Sequence, residues 1–150
     1  MVIANDVRKA IRKKDFDKAY SMMEHLSIDA KIELLCNQVA INDDASMYLF
    51  LLYLVAMDGN AAVWHFRCFV YLVFESSLFN DSMCLAAWHA KNAMQLDNRN
   101  VEYKRAALSV FAGYPEQFFT DEEFSQMARD VIRSNPNDND ALNYIREHQR

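Results

Sequence analysis

Only two glycines and two prolines occur among the 150 residues. A β-rich chain of this length needs turn residues between successive strands, and Gly and Pro are the residues best suited to tight turns. So few of them point to long helices joined by short polar connections. The apolar pattern agrees. No segment alternates with a period of two, whereas several repeat at the three-to-four-residue spacing of a helix face. The expected fold is all-α, with roughly eight or nine helices packed as antiparallel pairs, either an α-solenoid or an irregular bundle. Hydrophobic residues make up 52% of the chain, enough to bury a core, and the length suits one helical domain, 1–150.

Helix ends are marked by capping residues. Thr120-Asp121-Glu122-Glu123 reads as a capping box, in which the Thr hydroxyl and a Glu carboxylate each satisfy an orphan backbone N–H. Phe124, Met127, Ala128, Val131 and Ile132 then share one face until Asn135-Pro136 stops the helix. Tyr103, Ala106, Ala107, Val110 and Phe111 form the preceding stripe, ended by Gly113-Tyr114-Pro115. Asn80-Asp81-Ser82 opens a helix to about Leu96 with a face of small residues, Ala86, Ala87, Ala90 and Ala93, between Met83 and Met94. Ile28, Ile32, Leu35, Cys36 and Val39 follow a Ser27 cap, and Asn42-Asp43-Asp44 opens the helix after them. Two short helices, broken near Lys14-Asp15, come first.

The most apolar run, Ala45 to Met57, is 13 residues, short of the ~20 that cross a bilayer as a helix. The next, Ala61 to Phe74, contains His65 and Arg67, and Asp58-Gly59-Asn60 turns the chain between them. A buried helical hairpin is expected, with no membrane partner. Trp64, Phe66, Phe69, Tyr71 and Phe74 surround the second helix, as in a central buried helix; an interface face is the alternative. Trp88 lies off the small-residue stripe and is expected to be exposed and available to a partner.

The net charge is −5 and the pI is about 5.3, which argues against binding nucleic acid. Residues 1–20 carry six basic and three acidic side chains, a surplus of three, so the remainder carries −8. That remainder favours a basic partner. The early basic cluster, interrupted by Asp6, Asp15 and Asp17, reads as a solvated helix face. Cys36, Cys68 and Cys84 fall within apolar helical stretches and read as reduced core residues of a cytoplasmic protein. The N-terminus reaches charge too soon for a secretory signal.

No catalytic set is apparent. His25, His65, His89 and His148 are scattered, and none sits beside a nucleophile with a third residue to orient it. His65, Cys68, Cys84 and His89 are the one foothold for a metal site, but their spacing is not that of a zinc motif, and satisfied core or boundary residues are expected. No glycine-rich loop is present to hold a phosphate. No catalytic residue, metal or cofactor is therefore assigned. The acidic residues near helix starts, Asp43, Asp44, Asp121, Glu122, Glu123, Asp138 and Asp140, form with Trp88 the pool of protein-binding candidates, although complementing helix dipoles accounts for most of the acids.

Three stretches resemble the second helix of a tetratricopeptide repeat and the turn after it. The family places a small residue, a large one four later, Ala three after that and Pro five further on. Here those positions read Ala19, Met23, Leu26, Lys31; then Ala86, Ala90, Ala93, Asn98; then Phe124, Ala128, Val131, Pro136. The first offset, 67 residues, is close to twice the repeat of about 34. The family's first-helix pattern of Trp, Leu, Gly and Tyr is missing, and Pro occurs at one turn of the three. The resemblance implies stacked helical pairs.

Over its whole length the chain also resembles a bacterial immunity protein of the contact-dependent growth inhibition type, in its size, acidity and lack of catalytic chemistry. That resemblance implies a protein that neutralises a cognate toxin domain by blocking its active site, the natural toxin being a basic nuclease. Two alternatives stay open: a TPR-like adaptor for a peptide or protein, and a metal-dependent enzyme.

Overall fold

The computed structural model describes residues 2–41, 44–74 and 80–148. Among the described residues lie nine α-helices and no strand: α1 (Val2–Arg12), α2 (Phe16–Ser21), α3 (Ile28–Glu33), α4 (Ser46–Met57), α5 (Ala61–Phe74), α6 (Ser82–Leu96), α7 (Val101–Phe111), α8 (Asp121–Ser134) and α9 (Asn139–His148). α3 runs on as a π-helical stretch, Leu34–Val39. No helix among the described residues is long and apolar enough to cross a membrane.

From α4 onward each helix packs on its successor, and α5 and α6 share the most extensive contact. The reason lies in their side chains. α6 turns Ala86, Ala90 and Ala93 inward, all buried, so the backbone can approach an α5 that fills the space with Trp64, Phe69 and Leu72. α5, α7 and α9 form one row. Phe66 stacks on Tyr103 with ring centroids 4.6 Å apart, Phe69 meets Phe111 at 5.8 Å, and α7 packs directly on α9. α6 and α8 form the other row, joined by Lys91 Nζ, 3.7 Å from a Glu123 carboxylate oxygen. One contiguous cluster of buried apolar residues extends from Ala4 to Tyr144.

At α8 the cap forms where the sequence places it. Thr120 Oγ1 accepts from Glu123 N at 3.1 Å, and Thr120 N donates to Glu123 Oε2 at 2.7 Å, closing the capping box. Asn100 caps α7. The α4–α5 hairpin turns at Gly59, whose φ of +68° suits a residue without Cβ. α6 begins where expected, but Asp81 is left-handed and makes no side-chain capping bond.

The first half departs more from local rules. The stretch aligned with a repeat's second helix from Asp15 to Lys31 is not one helix: α2 ends at Ser21 and α3 begins afresh at Ile28 behind the Ser27 cap. Ala19 and Met23 are buried as the alignment requires. Lys31, standing where the family has Pro, is buried instead against Asp58, the two side chains being 6% and 2% exposed. Asp58 also accepts from Trp64 Nε1 at 2.7 Å, Asn60 Nδ2 at 3.1 Å and Tyr20 Oη at 3.1 Å. This carboxylate is the polar hub that ties α2 and α3 to the α4–α5 turn. Burial alone would raise its pKa, but the Lys31, Trp64 and other hydrogen bonds outweigh that and hold it below the usual carboxylate value.

The basic N-terminal cluster is partly structural. Arg8 Nε donates to the carbonyl of Val39 at 2.7 Å and its Nη2 to that of Gln38 at 2.6 Å, capping the π-helical stretch, and Lys14 donates to Ser46 Oγ. Of the cysteines placed in the core, only Cys68 is buried; Cys36 and Cys84 are exposed, because each lies off the inward face of its helix.

Candidate functional site

The outer face of α6 and α8 carries the aromatic singled out from the sequence. Trp88 is 53% exposed. Its inner side is held, since the ring meets His89 edge-on at 4.8 Å and His65 at 5.4 Å, and its carbonyl accepts from Asn92 Nδ2 at 2.8 Å. Both histidines are buried. They touch through their Nδ1 atoms at 2.8 Å, and His89 Nε2 lies 3.0 Å from the hydroxyl of Tyr48. Neutral rings satisfy both contacts. When Tyr48 donates to His89 Nε2, His89 Nδ1–H donates in turn to His65 Nδ1, and no nitrogen in the chain needs a second proton. Burial lowers the pKa of both rings. For His89 it falls to about 4, with the neighbouring His65 adding to the effect of burial. The polar chain Tyr48–His89–His65 thus joins α4, α6 and α5 and forms the floor under Trp88.

One turn beyond Trp88, Lys91 reaches α8. Its Nζ lies 4.7 Å from the centroid of the Phe119 ring and pairs with Glu123. A shallow hollow of about 240 Å³ continues between Gln95 on α6 and Gln126 and Asp130 on α8. α6 thus carries an anchored aromatic ring one turn from the Lys91–Glu123 pair that ties it to the acid-rich start of α8.

The acidic candidates separate once their partners are known. Asp121 is exposed, in the first turn of α8, and accepts from Gln117 Nε2 at 3.3 Å. Glu122 is exposed and pairs with Arg129 at 3.0 Å, while Glu123 is committed to the capping box and to Lys91. Asp140 is exposed on α9 and borders a hollow against α5 and α7. Asp44 is exposed and its Oδ1 accepts from Ser46 N at 2.6 Å, a local cap. Asp43 lies outside the described residues. Asp138 must be removed from the pool: it is 4% exposed, caps α9 through Ala141 N at 3.1 Å and pairs with Arg105 at 2.7 Å. Burial pushes its pKa up, and those bonds more than reverse the shift. Trp88 on α6 and Asp121 and Glu122 at the start of α8 remain exposed.

The His65, Cys68, Cys84 and His89 set does not converge. The two histidines bond each other, Cys84 is exposed, and Cys68 is buried with its thiol pKa pushed up, the character of an inert core cysteine. Among the described residues no group of three or more His, Cys, Asp or Glu is placed to hold a metal ion.

Compared with protein-family models, curated proteins and solved structures, the chain matches none of them.

Proposed function

We propose that this chain acts by binding another protein through the outer face of α6 and α8, with Trp88 as the anchor, and that its partner is a basic toxin domain neutralised in the manner of an immunity protein. The observation that carries the reading is the half-exposed Trp88, held from beneath by two buried histidines. Tryptophan is enriched among residues that dominate binding energy, and an aromatic ring already fixed in place loses little entropy when a partner covers it. Asp121 and Glu122 are exposed at the start of α8, and the −8 carried outside the first 20 residues would steer a basic partner toward the molecule. Catalysis has no part in this reading.

The test is co-expression with a toxin domain encoded beside this chain's gene. Cells carrying both should survive, and the association rate of the purified proteins should fall as salt is added, because exposed charges are screened beyond ~8–10 Å at 0.1–0.15 M. Asp121→Lys with Glu122→Lys should slow association and leave the melting temperature within a few degrees of wild type. Unprotected cells, with no complex formed, would remove the immunity reading. A second reading, the peptide-binding adaptor, is favoured by one observation: a hollow of about 230 Å³ along the α5, α7 and α9 row, bordered by Val73, Arg105, Ser109 and Asp140.

A further inference from the structure

On the opposite side of α5 from its α6 partner contacts, a cavity of about 240 Å³ opens between α4, α5 and the π-helical stretch. Leu35, Ile41, Met47, Leu51 and Val70 make its wall apolar, and among the described residues one cation, Arg67, borders it. Arg67 has one anomalous donor. Its Nε is sealed from solvent and has no hydrogen-bond partner among the described residues, and none of the ion pairs formed there includes it. The Phe66 ring lies beside it, with the guanidinium carbon 5.8 Å from the centroid. A buried donor left unpaired is costly, and native structures keep few of them.

The backbone at the cavity is also held out of its ordinary forms. The six-residue π-helical stretch supplies Leu35 and Cys36 to the wall and ends on Ala40, a left-handed non-glycine with φ of +40° that lines the cavity too. π-helical segments and strained residues of this kind cluster at ligand sites, because a regular helix would be the more stable default. Tyr71 spans the rim, its hydroxyl donating toward the carbonyls of Ile41 and Asp44, both at 3.3 Å.

From these features together we infer that the cavity is a binding site for a small amphipathic monocarboxylate, its apolar tail or ring against Leu35, Met47 and Leu51 and its carboxylate on Arg67. A carboxylate is the planar acceptor that matches the guanidinium fork. A single cation neutralises a monoanion, whereas a phosphate dianion would be left with uncompensated charge in an apolar setting. The volume, 240 Å³, is below the ~300–1,000 Å³ of sites for drug-sized ligands. At ~30 Å³ for each water-sized unit it holds a tail of about eight carbons. This site is separate from the Trp88 face and stands or falls independently of the partner proposed for it.

The experiment is an NMR titration of the full chain with octanoate, 1-octanol and octylamine, reading the amides of the π-helical stretch and α5. Octanoate should saturate at least tenfold more tightly than octanol, with octylamine weakest. Arg67→Met should erase the preference for octanoate while octanol binding persists, Arg67→Lys should retain part of it, and Val70→Trp, which fills the cavity, should abolish binding of both. Circular dichroism on each variant confirms that the helices persist. Octanoate binding no tighter than octanol, an undiminished preference in Arg67→Met, or no saturable shift in the wild-type protein would each overturn the proposal.

Discussion

The region from α1 to the α4–α5 turn and the region from α7 to α9 reach the same helical architecture by different means. In the later region every helix start follows a local capping rule. A complete capping box starts α8, Asn100 caps α7 and Asp138 caps α9. In the earlier region Lys14 and Ala40 are left-handed, a six-residue π-helical stretch replaces regular helix, and Asp15 makes no capping bond. What holds it is polar contact over long sequence separation: Arg8 to Gln38 and Val39, Lys14 to Ser46, Tyr53 to Asp17, and Lys31 with Tyr20 and Trp64 on Asp58. The difference teaches that irregular backbone persists where side chains from elsewhere satisfy what the helix leaves open, and such places are free to carry a site.

The sharpest way to break that comparison is to remove its hub. Asp58→Ala leaves Lys31 buried without its counter-charge and should cost about 3–5 kcal/mol in urea unfolding. A loss no greater than that from deleting a single cap in α8 would show that the two regions are held alike.

The next effect is on pH. His89 and His65 have folded pKa values below the unfolded value of 6.5, so the unfolded chain takes up protons first. Their contribution is complete above pH 6.5 and declines as pH falls toward the folded value, about 4 for His89. For His89 the loss over that window is on the order of 2–3 kcal/mol, at about 1.4 kcal/mol per unit. The carboxylates of Asp58, Asp130 and Asp138, whose pKa values are also lowered, are lost only in more acid solution, below their ordinary value. His89→Gln cannot titrate and should flatten the dependence of urea stability on pH between about 6.5 and 4.5; an unchanged slope would remove the buried pair as its source.

Smaller changes sharpen the contrast. Thr120→Ala deletes half of the capping box and should cost about 1 kcal/mol, within the 0.5–2 typical of such caps. Ala40→Gly should act in the opposite sense and stabilise by about 0.5–1 kcal/mol, because it relieves a left-handed alanine at some cost in unfolded-chain entropy. An Ala40→Gly protein less stable than wild type in the same urea titration would mean that the Ala40 methyl contributes more by packing than its backbone loses by strain.

What was legible in the sequence follows the same division. The α8 box, the Asn135 stop, the α4–α5 turn at Gly59 and the exposure of Trp88 depend on neighbours within a few residues, and each was readable. The burial of Lys31 was not, because its partner Asp58 is 27 residues away and a lysine on a helix is ordinarily solvated. Asp138 looked like a surface acid at a helix start, and its burial depends on Arg105, 33 residues earlier. His65 and His89 were readable as core or boundary residues, or with Cys68 and Cys84 as a metal foothold, and not as a directly bonded pair. Only the packing of α5 on α6 joins them, and with it comes the support that fixes Trp88. No pattern in Leu34–Val39 announced a π-helical stretch, since its apolar spacing fits a regular helix as well.

The most direct measurement of the proposed function is the equilibrium affinity for the neighbouring basic toxin domain of the wild-type chain and of Trp88→Ala, each checked for an unchanged circular dichroism spectrum. If the anchored tryptophan dominates the interface, the variant should bind roughly 30-fold or more weakly, the equivalent of about 2 kcal/mol, chiefly through faster dissociation. A folded Trp88→Ala protein that binds the toxin domain as tightly as wild type would contradict the assignment of the α6–α8 face.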